Sequence, residues 1–150
     1  MKHRVKPTSH RSKKPLSKDM LLPLPATAAR KKSLEHHLAL AALQSGSGSA
    51  DAISKVFQTI YIAYYIHETT VGRDDLDQFR AAEAAVVECA VAVKKTGAFE
   101  ILASGRAAVE HILLMHDHQL ANVPAHVIAT AHVRLAQFIA TEKLSPIANA

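Results

Sequence analysis

From Thr27 onward, Ala, Leu, Ile and Val recur at spacings of three and four, and short Gly or Pro interruptions divide the pattern. No run alternates apolar and polar residues as a half-buried strand does. Coiled at about 3.6 residues per turn, each segment gains an apolar stripe, so the pattern predicts an all-α fold.

Five helices follow. The first covers about Thr27 to Gln44, with Leu34, Leu38 and Ala41 expected inward, and stops at the flexible Ser45-Gly46-Ser47-Gly48. Ser49 caps the second, where Ile53, Val56, Phe57, Ile60, Tyr61 and Tyr64 share one face and Ile62, Tyr65 and Ile66 add another strip. A helix apolar over so much of its circumference belongs at the centre. Asp74, Asp75 and Asp77 fill the first turn of the third helix, whose seam is Leu76, Phe79, Glu83, Val86, Ala90 and Val93. Lys94 and Lys95 suit its C-terminal end, and Gly97 terminates it. The fourth runs from about Ala98 to Leu120 with Leu102, Val109, Ile112, Leu113 and His116 inward. Pro124 opens the fifth, whose inner face is Val127, Ala131, Leu135 and Phe138. Short connections favour antiparallel neighbours, so residues 26–150 are expected to form a compact bundle of about five helices.

Residues 1–25 read differently, as a basic, Pro-containing, extended N-terminal arm ending in Leu-Leu-Pro-Leu-Pro, whose leucines could pin it to the body. Charge sharpens the division. Met1 to Lys32 holds ten of the 18 Lys and Arg and a single acid, Asp19. Ser33 to Ala150 holds eight bases and 12 acids. A net +9 segment beside a net −4 body repels itself and cannot bury a core, the pattern of an arm that meets a polyanion. Lys2, Arg4, Lys6, Arg11, Lys13, Lys14, Lys18, Arg30, Lys31 and Lys32 are therefore the candidate nucleic-acid contacts, each neutralising a phosphate without reading sequence. Their few apolar companions do not make a membrane-binding amphipathic face.

Other chemistry is sparse. A phosphate loop, a nucleophile elbow and an ordered Ser, His and Asp set are all missing, which disfavours an enzyme. The lone Cys89 sits in an apolar run as a small buried hydrophobe, which excludes an intrachain disulfide and fits a cytoplasmic protein. Eight histidines lie in the body: His36, His37, His67, His111, His116, His118, His126 and His132. His111 and His118 share a face near Asp117, yet no pair has the three- or four-residue spacing of helical metal motifs, so neither metal nor other cofactor is expected. Glu83 interrupts an apolar seam and would need a partner such as Arg106 or a histidine. Tyr61, Tyr64 and Tyr65 are read as core with hydroxyls at the surface. The best helix-turn-helix candidate joins the fourth and fifth helices, offering His126, Thr130 and Arg134 outward.

No stretch has the length of a membrane span, and Pro7, Pro15, Pro23 and Pro25 argue against a signal or transit peptide. The expectation is a small non-enzymatic accessory or regulatory protein, cytoplasmic and oligomeric through its helical seams, that contacts DNA or RNA through the arm. The alternative is a helical interaction module, an adaptor, inhibitor or assembly component, whose arm docks on an acidic or RNA-containing protein partner.

Overall fold

The computed structural model describes residues 14–147, and every regular element there is a helix. In chain order these are α1 (Lys18–Leu21), α2 (Ala26–Gln44), α3 (Ala50–Thr70), α4 (Leu76–Thr96), α5 (Ala103–Asn122) and α6 (Ala125–Ile139). Five correspond to the expected helices, and α1 is a single turn with too little pattern to read. No helix among the described residues is long and apolar enough to cross a membrane.

α3 lies at the centre, packed against α2, α4, α5 and α6. Its start is capped as expected: the Ser49 hydroxyl accepts from the Ala52 N–H at 3.1 Å. Val56, Ile60, Ala63, Tyr64 and Ile66 are fully enclosed, joined by Phe79 and Val86 of α4 and by Val109, Ile112 and Leu113 of α5. The α4 seam is thus consumed inside the chain. Gly97 ends α4 with a positive φ of 72°, its N–H bonded to the Val93 carbonyl at 2.8 Å.

Several expectations are corrected. The inner face of α2 is Ala29, His36, Leu40 and Leu43; Leu34 and Leu38 are each 58% exposed, and Ala41 is exposed beside them. Ala and Leu occur on every side of this helix, so periodicity does not fix its rotation. Polar bonds to α5 do, from Gln44 Nε2 to Glu110 Oε1 and between His37 and Asp117. α4 begins at Leu76, which leaves Asp77 alone of the three aspartates in its first turn, and the Asp74 carbonyl lies 3.1 Å from His67 Nε2. α5 begins five residues later than expected: Leu102 is its exposed N-cap residue, while the Ile101 side chain is buried and its N–H bonds the Leu43 carbonyl at 2.9 Å. That bond holds the segment extended. α6 packs on α3 and α1, which removes the antiparallel pairing expected between it and α5.

The Leu-Leu-Pro-Leu-Pro segment is pinned mainly by backbone. Ala125 N–H donates to the Leu22 carbonyl at 2.8 Å and Pro23 bridges to Pro124, with Leu24 packed on the core and Leu21 and Leu22 exposed. At the other end, Ile147 is buried and Ser145 donates to Glu83 Oε2 at 2.6 Å. The partners of Glu83 are therefore hydroxyls, Ser145 of the C-terminal segment and Tyr61 of α3, where Arg106 or a histidine was expected.

α5 packs tightly on α4 at Gly105, where an added Cβ would fall 2.4 Å from the Cβ of Ala85. Replacing a helical Gly by Ala gains about 1 kcal/mol of propensity, whereas overpacking a tight contact costs about 1–3 kcal/mol. The overlap wins, and Gly105→Ala is expected to lower the unfolding free energy by about 1 kcal/mol. A Gly105→Ala/Ala85→Gly cycle followed by urea denaturation should show favourable coupling. Additive effects would contradict this account of the contact.

Candidate functional site

Of the ten basic candidates, Lys2, Arg4, Lys6, Arg11 and Lys13 lie outside the described residues. Lys14, Lys18, Arg30, Lys31 and Lys32 are all exposed. Successive positions on a helix diverge by about 100°, so the last three do not form one patch. Arg30 borders a cleft with Ser33 and Asp117, and Lys32 borders a separate cavity with Lys55 and His132.

The helix-turn-helix candidate loses its reading side chain. Arg134 donates from Nη2 to Glu68 Oε1 at 2.6 Å, and its guanidinium lies 4.3 Å from the centre of the Tyr65 ring. Arg73 pairs with the same carboxylate at 3.3 Å, and the Tyr64 hydroxyl donates to it at 2.9 Å. The Arg134 hydrogen bond is the main reason that Glu68 is held below the usual carboxylate range. Tyr64 is core as expected, but its hydroxyl is bonded inside this network. Burial raises the Tyr61 phenol, and Glu83 beside it raises it further.

The histidines regroup across the fold. His111 and His118 are exposed, and the set gathered around Asp117 is His36, His37 and His116. Two elements supply it: α2 carries the adjacent His36 and His37, and α5 carries His116 and Asp117. His37 Nε2 lies 2.7 Å from Asp117 Oδ2, and His36 Nε2 lies 3.5 Å from Asp117 Oδ1. The latter two atoms are buried and neither makes a hydrogen bond of good geometry. The His36 ring stands edge-on to His37 at 5.8 Å and to His116 at 5.2 Å.

Hydrogen bonding fixes one tautomer. Gln119 donates from Nε2 to the Ala63 carbonyl at 3.0 Å, so its Oε1 is an acceptor, and His116 Nδ1 at 2.9 Å must carry the proton. Nε2 of His116 is then a bare lone pair. Burial, followed by the proximity of His116, lowers the pKa of His36 to about 4. His116 is lowered by burial as well, and His132 by partial burial and then by Lys32. Burial works against ionised Asp117, but the Ser33 hydroxyl and His37 outweigh it and hold its carboxyl low. Neutral imidazoles around an ionised carboxylate can hold or relay a proton. Among the described residues, no three His, Cys, Asp or Glu side chains are placed to share a metal ion. Cys89 is fully buried on α4, where desolvation raises its thiol.

Fold and site together define an all-helical domain with a partly buried histidine and aspartate cluster between its second and fifth helices. Comparison with known proteins finds no matching family model, curated protein or solved structure.

Adjacent His36 and His37 were the one sequence signal for this cluster. Asp117 lies 80 residues away in the chain, and only the α2 to α5 contact joins them.

Proposed function

We propose that this chain is a small non-enzymatic accessory or regulatory protein, cytoplasmic and oligomeric, that contacts nucleic acid through its basic N-terminal arm. The observation that carries the reading is the segregation of charge, ten bases against one acid before Ser33. The body supports it by contrast. Arg134 and Arg73 are paired with Glu68, Lys55 with Glu35 and Arg80 with Asp77, so much of the positive charge beyond α2 is already countered. Affinity in this reading comes from counterion release and is blind to sequence. Binding of the full chain to duplex DNA and single-stranded RNA across a salt series tests it: affinity should fall steeply with salt. No binding at low salt would reject it.

One observation favours the interaction-module reading. The displaced stripe of α2 leaves Leu34, Leu38 and Ala41 on the surface, and Leu114 of α5 is 63% exposed. Exposed apolar stripes of this kind serve protein contacts. In this alternative a partner stays bound to the body at high salt, whereas nucleic acid is released.

A further inference from the structure

A cavity of about 80 Å³ opens between α2, α3, α5 and α6, beside the histidine cluster. We propose that it binds a small protonated oxyanion, inorganic phosphate. The inference does not depend on the arm reading.

Size and lining both point there. Liquid water occupies about 30 Å³ per molecule, so the space suits a few heavy atoms and excludes a nucleoside or a peptide. Lys32 of α2, Lys55 of α3, and His36, His116 and His132 border it, against one acid, Glu35. Glu35 is paired with Lys55 at 3.7 Å, which leaves Lys32 to supply the attracting charge. The wall also presents lone pairs. The Thr59 hydroxyl donates its proton to the Lys55 carbonyl at 2.8 Å, so its oxygen is left as an acceptor. His116 commits Nδ1–H to Gln119, so Nε2 is the nitrogen left to accept. Cations beside acceptors match a ligand that carries both P–O⁻ and P–OH. Sulfate, which has no proton near neutral pH, leaves those acceptors facing an anion.

Lys32, Glu35 and His36 face the cavity from α2, Lys55 from α3, His116 from α5 and His132 from α6, with Asp117 of α5 behind His36. At pH 7.5 the three histidines, all held below their ordinary range, are neutral.

Calorimetric titration of the full chain with sodium phosphate and with sodium sulfate, at constant ionic strength, tests the proposal. At pH 7.5 phosphate should bind saturably and about tenfold or more tightly than sulfate, since an unmatched polar contact is worth about that factor. Lys32→Gln, a change at an exposed position, should weaken phosphate about tenfold, whereas Lys95→Gln, equally exposed on α4 and away from the cavity, should leave it unchanged. Equal affinity for the two anions at pH 7.5, equal effects of the two variants, or no saturable binding at tens of millimolar phosphate would each overturn it. Failure here leaves the salt dependence expected of the arm intact, so the two readings fail separately.

Discussion

Replacing Lys2, Arg4, Lys6, Arg11, Lys13, Lys14 and Lys18 together by glutamine is expected to flatten the dependence of duplex affinity on salt by about six in the log-log slope. Each phosphate contact contributes about 0.9 to that slope, and seven charges are removed. A protein making that many contacts loses about 10³-fold or more in affinity between 50 and 200 mM salt, and the variant should lose little because it binds weakly throughout. The substitution also takes the formal charge from +5 to −2, so the remaining body repels the polyanion. Of the seven, Lys14 and Lys18 are exposed, and the other five precede the described residues. Fluorescence anisotropy with duplex DNA at several salt concentrations reads the slope directly. An unchanged slope would place the contacts elsewhere and turn attention to the apolar stripe of α2.

Acidification from pH 6.5 to pH 4 is expected to lower the unfolding free energy by about 3 kcal/mol through His36 alone. The pKa of this group is about 4 in the folded chain against an ordinary 6.5. As pH falls through 6.5, the unfolded chain takes up a proton that the folded chain refuses, so stability falls by about 1.4 kcal/mol per pH unit until the folded pKa is reached. His116 is depressed in the same direction and adds to the loss. Asp117 has the opposite chemistry: its stabilising ionised form persists through this window and is lost only as pH falls below its ordinary value of 3.8. Urea denaturation at half-unit steps between pH 7 and 4.5 measures the slope, and His36→Gln should flatten it by about one proton. A wild-type stability that stays level from pH 6.5 to 4.5 would contradict the burial of a neutral His36.

The second helix shows why sequence reading stops where it does. In α3 and α4, large apolar residues recur at i, i+3, i+4 and i+7, and five of the positions marked as inner on sequence, Val56, Ile60, Tyr64, Phe79 and Val86, are fully enclosed. In α2, Ala and Leu surround the helix, so the same counting chose Leu34 and Leu38 although Leu40 and Leu43 face the core. Glu83 was recognisable as an anomaly, but its partner Ser145 lies 62 residues on, in a segment without periodicity. Arg134 looked outward on a helical wheel, yet Glu68 of α3 holds it across 66 residues.

By itself, the sequence determined the all-helical class, the Ser49 cap and the Gly97 stop, the central place of α3 and the concentration of positive charge before Ser33. Those properties follow from local backbone preference, hydrophobic period and formal charge, all of which act over a few neighbouring residues. Tertiary structure alone decided the rotation of α2, the pairing of Arg134 with Glu68 and of Ser145 with Glu83, and the gathering of His36, His37 and His116 around Asp117. Each of these depends on which distant polar groups meet once the helices pack, because a buried donor or charge takes whatever partner the fold brings within about 3 Å.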